Sequence, residues 1–416
     1  MPLFAAFLLF AALGHALFWI GLVNRLHGFG WPRAPVKLAS LAMLAWTGLG
    51  WMLWYIPLTD VFKEMSFAEY RTASPFFADY TIVMSAIGAW GILVWTRRKF
   101  FGDREAYPHP TTVVTYDVET ALGRPLAATP LAHRLRRIPR NQTWSLAVET
   151  HELTLPGLPN VLHGVTVAHL TDLHLTGHVS REYFEFVIDR CNAANPDLVC
   201  ITGDIIDAAE CVTWLPETLG RLKAKYGCFY ILGNHDQRCG DLPRLHRALA
   251  ECGIQDVGGA WRILKIRGHD IIVAGVECPW FGPSADFRYL PDSLVNERPF
   301  RLLLSHSPDR FAGAVAWDFD LMLAGHTHGG QFAPPLIGPV LAPSLHGVRF
   351  SGGTFRRGKT TMHVSRGVSA EIPWRWNALP ELSIFRLLVE RAAEPVTNEA
   401  QPGELIDPAC TLAEAL

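Results

Sequence analysis

Three long apolar runs open the chain, and alternating strand-like and helix-like stretches fill its second half. The runs "LFAAFLLFAALGHALFWIGLV" (3–23), "LASLAMLAWTGLGWMLWYI" (38–56) and "YTIVMSAIGAWGILVWT" (80–96) each approach the ~20 residues a helix needs to cross a hydrocarbon core, the third being the shortest. Aromatic residues near their ends, among them Trp19, Trp51, Trp54, Tyr55, Tyr80 and Trp95, fit an interfacial belt. The spacing therefore predicts an all-α transmembrane region of three helices over 1–97.

From 98 to 143 clear periodicity is lost and Pro, Arg and Thr accumulate, which predicts a linker. Its cluster "HRLRRIPR" (133–140) reads either as a solvated segment or as a contact for anionic headgroups. From 144 to 388, β-branched and apolar stretches such as "WSLAVETHELTL", "GVTVAHLTD", "PDLVCITGD", "CFYILGNHD", "RLLLSH", "FDLMLAGHTH", "TTMHVSRG" and "LSIFRLLV" read as strands, and 262–276 as a hairpin around Gly268. Helical patterns lie between them at 181–195, 212–224, 241–252 and 308–316. Strands alternating with helices predict one α/β domain. The remainder, 389–416, carries five Glu and one Asp against one Arg and is expected to be disordered.

With 416 residues the chain exceeds one typical domain, and a formal net charge of −2 argues against a nucleic-acid partner. A mean hydropathy of +0.15 with 49% hydrophobic residues agrees with membrane content. Arg25, Arg33 and Lys37 sit in the first connection, and Arg97, Arg98, Lys99 and Arg104 follow the third run. The second connection holds only Lys63 and Arg71 among Asp60, Glu64, Glu69 and Asp79. This asymmetry predicts a multi-pass inner-membrane protein with its N-terminus outside and everything after residue 97 in the cytoplasm. No basic residue precedes the first run and no clean cleavage site follows it, so it does not read as a signal peptide. His15, inside the first run, reads as a helix-packing contact rather than a functional ionisable group. The eight cysteines, without CxxC pairs, read as reduced packing residues.

Five polar clusters share one position: each begins where an apolar strand stops. They are "HLTDLH" with Asp172 and His174, "TGDIID" with Asp204 and Asp207, "GNHD" with Asn234, His235 and Asp236, "SHSPD" with His306, and "GHTHGGQ" with His326 and His328. Carboxyl ends of strands are where α/β sheets build sites, so the clusters are expected to converge into a metal site. In an extended segment His326 and His328 would face one way, with origins about 6–7 Å apart. That separation suits two ions about 3.5–4 Å apart better than one. Asp207 reads as the cap of a following helix and is left outside the site.

The order D-x-H, GD, GNHD, H, GHTH across 165–330 resembles the calcineurin-like metallophosphoesterases. The wording "HLTDLHLTG", "GNHD" and "GHTHGGQ", with "SRG" (365–367) and "PEL" (380–382) downstream, resembles their bacterial membrane-associated branch of YkuE/YaeI type. The resemblance implies a four-layer α-β-β-α sandwich with two metals at one edge. It implies that Asp172, His174 and His328 hold one metal, that Asn234, His306 and His326 hold the other, and that Asp204 bridges them. It also implies that His235 faces the scissile phosphate, with Asp236 as its orienting partner. An all-nitrogen-and-oxygen ligand set suits two divalent ions of Mn, Fe or Zn. Such ions acidify a water and neutralise the phosphoryl oxygens during in-line displacement. Gly329 and Gly330 are expected to turn the backbone beside the metals, and Gln331 to be structural.

The function that follows is hydrolysis of a phosphodiester or pyrophosphate bond by a membrane-anchored enzyme. Anchoring points to a lipid or lipid-linked substrate such as UDP-2,3-diacylglucosamine, by analogy alone. The alternative from another class is a sensor or scaffold that uses the fold to bind phosphate ligands without turnover. The aromatic stretch 278–300 reads either as a wall of the substrate site or as an ordinary connection.

Overall fold

The computed structural model describes residues 2–61, 66–282, 286–294 and 297–390. The acidic tail and Cys410 lie outside those residues. The membrane region comprises helices α1 (Pro2–Leu26), α2 (Arg33–Leu49), α3 (Met52–Val61), α4 (Phe67–Ala73) and α5 (Pro75–Phe101). Three stretches, Leu3–Phe29, Arg33–Tyr55 and Pro75–Phe101, are helical, long and apolar enough to cross a membrane.

Two glycines let α1 and α5 approach closely. A Cβ at Gly14 would come within 1.8 Å of the Met84 carbonyl, and one at Gly88 within 2.1 Å of the Phe10 carbonyl. Small residues at such a crossing give backbones the van der Waals contact that drives helix association in lipid. His15 is fully buried there, with Nδ1 2.7 Å from the Tyr80 hydroxyl and Nε2 3.1 Å from the Trp46 carbonyl. Those partners make it a packing contact, as its small neighbours suggest. The second span is interrupted between α2 and α3 at Gly50 and Trp51. The His15 imidazole occupies the space that a Cβ at Gly50 would need, and glycine-rich "TGLG" is a weak helix former.

The segment expected as a linker contributes structure of its own. Strand β1 (Thr111–Asp117) and helices α6 (Val118–Leu122) and α7 (Pro130–Arg136) all lie within it. Its run "TTVVTYD" is β-branched and pairs antiparallel with β2 (Ser145–Leu155) at the edge of a sheet.

The domain that follows contains β3 (Thr166–Leu170), α8 (Arg181–Ala193), β4 (Leu198–Thr202), β5 (Cys228–Ile231), α9 (Leu242–Glu251), β6 (Ile254–Asp256), β7 (Trp261–Ile266) and β8 (His269–Val276). It continues with β9 (Phe300–Ser305), α10 (Phe311–Ala316), β10 (Leu321–Ala324), β11 (Gly353–Arg357), β12 (Thr360–Val364) and β13 (Glu381–Val389). A seven-stranded sheet runs β1-β2-β13-β3-β4-β5-β6, and a six-stranded sheet runs β11-β12-β10-β9-β8-β7. Leu153, Val167, Leu198, Phe229, Val273, Leu302, Leu321 and Phe385 form the apolar layer between the sheets. Helices α8 and α9 cover the outer face of the first sheet through Tyr183, Phe184, Val187, Leu245 and Leu249. Phe311 and Ala314 of α10 cover the second. The result is the α-β-β-α sandwich expected of the motif order.

Strands β3, β4, β5, β9 and β10 are almost wholly buried and mutually parallel where adjacent, which is why they read as continuous apolar runs rather than alternating ones. The helix expected over 212–224 is instead two short 3-10 turns, Ala209–Trp214 and Leu219–Arg221, with Pro216 and Gly220 interrupting it. Arg366 of "SRG" and Glu381 of "PEL" pair at 3.2 Å and pin the loop behind the site to β13. Seven of the cysteines are free thiols, buried or half-buried.

Candidate metal centre

Each of the five parallel strands ends in a loop that returns a polar side chain to the same edge of the sandwich. Asp172 and His174 follow β3, Asp204 follows β4, Asn234 and His235 follow β5, His306 follows β9, and His326 and His328 follow β10. Five of these residues adopt positive φ without being glycine: Asp172 (51°), His174 (45°), Asp204 (51°), His326 (72°) and His328 (53°). Left-handed conformations at non-glycine residues cost of order 1–3 kcal/mol each and gather where a site over-determines them. Gly325 precedes the last pair because a Cβ there would meet Asp172 Oδ2 at 2.4 Å.

These conformations correct the extended picture of the histidine pair. His326 and His328 leave the strand in a left-handed turn that Gly329 and Gly330 continue, and their imidazoles diverge. His326 Nδ1 lies 3.1 Å from His306 Nε2, whereas His328 Nε2 lies 3.1 Å from His174 Nε2. The two histidines therefore belong to different halves of the cluster, but the turn divides them rather than a strand.

The donor atoms fall into overlapping groups, each within 4.8 Å: Asp172, His174 and His328; Asp204, His306 and His326; and His174, Asp204 and His235. Asp204 Oδ2 lies 3.2 Å from His306 Nε2 and 3.6 Å from His174 Nε2, between the halves. Asn234 Oδ1 lies 3.1 Å from His306 Nε2.

The outward nitrogens of the histidines show which lone pairs point inward. His174 Nδ1 donates to Asp207 Oδ2 at 2.6 Å and His306 Nδ1 to the Thr202 carbonyl at 2.7 Å, whereas His328 Nδ1 lies between the Ser369 carbonyl at 3.2 Å and the Arg375 guanidinium at 3.0 Å, which can only donate. The bonds of His174 and His306 fix the tautomer that leaves Nε2 unprotonated. A carboxylate or carbonyl behind the imidazole is how metal-ligating histidines are held. His326 uses the other nitrogen, and its Nε2 is buried without a partner. Facing nitrogens at 3.1 Å with buried carboxylates between them fit divalent cations well.

Electrostatics agree. Burial pushes His306 down, but the Asp204 and Asp172 carboxylates outweigh it and draw its pKa up to about 9. Burial and a charged His306 hold His326 well below the usual histidine range. The cluster attracts positive charge and cannot spread it as protons over all its imidazoles.

Two expectations about individual residues are corrected. Asp207 does not cap a helix outside the site; its Oδ1 accepts from His235 Nδ1 at 2.6 Å while Oδ2 holds His174. Burial alone would raise its pKa, and the hydrogen bonds from His174 and His235 lower it well past the usual carboxylate value. Asp236 does not orient His235. Its Oδ1 accepts backbone N–H bonds from Ile205 and Ile206, both at 2.9 Å, and its Oδ2 accepts one from Gly233 at 2.8 Å. It ties the loop after β4 to the loop after β5, and burial with the nearby Asp204 charge raises it to about 7.

Further residues complete the site. Arg238 sets Nη1 2.6 Å from Asp207 Oδ1 and Nη2 3.1 Å from His235 Nε2. Trp280, from the aromatic stretch flagged as wall or connection, lays its ring 4.7 Å from His326 and 5.4 Å from His306. Arg375, of "IPWRW", is fully buried beside His328. Gln331 donates to the Ile372 and Trp374 carbonyls and is structural. Of these, the sequence flagged Gln331 and the region of Trp280. Arg238 carries no signal beyond its closeness to "GNHD".

Residues 165–330 match the calcineurin-like phosphoesterase family. The metallophosphoesterase YkuE of Bacillus subtilis is 31% identical over 248 residues, which are 58% of this chain and 85% of that protein. This chain belongs to the calcineurin-like phosphoesterases. It is a phosphoester hydrolase of that family. The phosphodiesterase YaeI of Escherichia coli is 27% identical over 230 residues, 53% of this chain and 82% of YaeI. A zebrafish transmembrane protein with a metallophosphoesterase domain is 29% identical over 198 residues, 45% of each chain. That last match lies beside the apolar helices in suggesting a membrane phosphoesterase.

Proposed function

We propose that this cluster is a dinuclear phosphodiesterase centre, in which Asp172, His174 and His328 hold one divalent ion, Asn234, His306 and His326 hold the other, and Asp204 bridges. The observation that carries the reading is the pair of outward hydrogen bonds from His174 and His306 that leave imidazole lone pairs converging, with His326 and His328, on two buried carboxylates. Bound Mn, Fe or Zn ions would supply Lewis acidity, lowering the pKa of an attacking water and neutralising phosphoryl charge.

The chain's own groups do the rest. Asp207 fixes the His235 ring and leaves Nε2 at the accessible side of the cluster, where, once it has taken a proton from solvent, it stabilises the transition state or gives that proton to the leaving oxygen. Arg238 offers its guanidinium at the same place for a phosphoryl oxygen. Trp280 closes one wall and excludes water from the imidazoles beneath it. The buried carboxylates give the site strong affinity for cations but none for an anion on its own.

The substrate in this reading is a phosphodiester or pyrophosphate carried by a membrane lipid or lipid-linked nucleotide, with catalysis on the cytoplasmic face of the inner membrane. The apolar helices support anchoring, and the basic ends of the spans support the orientation. Full-length protein in detergent, supplied in turn with Mn²⁺, Fe²⁺ and Zn²⁺ and given bis(p-nitrophenyl) phosphate, tests it. Metal-dependent hydrolysis with two ions per chain is expected. Two bound ions without hydrolysis of this or a membrane lipid diester would overturn the diesterase reading.

A further inference from the structure

The membrane region reaches the metal centre itself. The turn after α1 (His27–Phe29) ends at Gly30, where a Cβ would come within 2.6 Å of the Pro279 ring, and Pro279 is followed by Trp280 over His326. Asn24 of α1 donates to the Val340 carbonyl at 3.1 Å and accepts from the Ala342 N–H at 3.0 Å. Two consecutive residues, Pro279 and Trp280, therefore stand between the turn after the first span and the cluster.

At the same seam a carboxylate sits between two arginines. Glu371 Oε1 lies 2.9 Å from Arg238 Nη1 and 3.1 Å from Nη2 of Arg33, the first residue of α2. Glu371 Oε2 lies 3.2 Å from Arg238 Nη2, the same nitrogen that faces His235. The Glu371 and Arg33 side chains are about half exposed, 46% and 56%, so this bridge is open to exchange with a ligand. Beside it, Ile372 is 51% exposed, and Leu336 and Ile337 of the loop after the histidine turn are 80% and 64% exposed. The loop that carries Leu336 and Ile337 runs on to Val340 and Ala342, which bond to Asn24 of α1. The position of these apolar side chains fits acyl chains that remain in the bilayer while a headgroup turns toward the metals.

We propose that the membrane segment completes the substrate site: Arg33 and Arg238 form an anion subsite for the headgroup of a membrane-borne phosphoester, and Glu371 stands in that subsite until the headgroup displaces it. This deepens the phosphodiesterase reading and rests on it for the neighbouring metal centre. A planar guanidinium pair suits bidentate contact with phosphoryl oxygens. The shared chemistry, an organic phosphate, is also offered by soluble metabolites, and the apolar rim selects the lipid.

The test is competition against bis(p-nitrophenyl) phosphate turnover by full-length protein in detergent with Mn²⁺. The competitors are dioctanoyl phosphatidic acid and glycerol 3-phosphate, which share a headgroup and differ in their chains. Wild type should bind the phosphatidic acid at least about tenfold more tightly than glycerol 3-phosphate. Arg33→Gln should weaken phosphatidic acid about tenfold, and Glu371→Gln should tighten it. Opposite effects from two exposed substitutions cannot arise from a shared loss of folding. Equal affinity for the two competitors, no change in Arg33→Gln, or weakening in Glu371→Gln would overturn the proposal. If the diester is not turned over, the phosphodiesterase reading fails separately, and the same affinities are then read by calorimetry on the metal-supplied protein.

Discussion

Asp207 joins the two halves of the chemistry, one oxygen holding the His174 tautomer and the other the His235 ring. Removing its charge while keeping its shape should loosen both. Asp207→Asn is expected to lower kcat for a soluble diester about 10–100-fold, with metal affinity reduced and the fold retained. Asp236 predicts the opposite pattern. Two oxygens accept three buried N–H groups, and an amide has one oxygen, so Asp236→Asn must turn an NH₂ toward at least one donor. We expect a stability loss of ~1–3 kcal/mol in thermal or urea unfolding, larger than any direct effect on the chemical step. The sequence placed these two aspartates the wrong way round because both sit at strand ends in polar company. Which carboxylate meets an imidazole is decided by left-handed turns at Asp172, His174 and Asp204, residues whose types do not announce such a conformation. Arg238 and Glu371 were invisible for a similar reason: 133 residues separate them, and neither belongs to a motif.

Among the elements, the buried parallel strands were the most legible. Continuous runs such as "LVCIT" and "LMLA" can only lie between covering layers, and their polar ends then share one edge. Strand β1 was not legible, because a short β-branched run in a proline-containing stretch needs an edge partner to count as a strand, and β2 supplies it only further along the chain, with Asp117 opposite Ser145 and Thr111 opposite His151. The interrupted second span was likewise hidden, since hydropathy does not register a turn at Gly50. Close packing of α1 on α5 makes a sharp prediction. Gly14→Val places a side chain against the Met84 carbonyl, and we expect destabilisation of at least about 1–3 kcal/mol, seen as faster thermal inactivation in detergent. The exit from α5 makes a second one. The Arg349 guanidinium lowers Asp103 from 3.8 to about 2. A carboxyl held ionised to lower pH in the folded state contributes fully above about pH 4, and its contribution is lost as pH falls from about 4 through about 2. Arg349→Ala should therefore flatten the acid limb of stability against pH inside that window and leave its shape above pH 5 unchanged.

At the scale of the molecule, the spans and the sandwich meet at one seam rather than along a flexible tether. Asn24 near the end of α1, Arg33 at the start of α2 and Asp103 just after α5 all bond to the catalytic domain. The basic ends of the spans thus lie on the side where the metal cluster opens, which is the side that the positive-inside rule assigns to the cytoplasm. On the proposed lipid reading, this arrangement would bring a membrane-borne substrate directly to the site. Whether the cluster is the two-ion hydrolytic centre that we propose, with Asp204 shared between the ions, is decided by one paired measurement. Metal content and metal-dependent hydrolysis of bis(p-nitrophenyl) phosphate are determined for full-length wild type and Asp204→Asn. Two ions and turnover are expected in the wild type, with a fall in kcat on the order of 100-fold or more in the folded variant. Turnover that persists undiminished in Asp204→Asn would contradict that proposal.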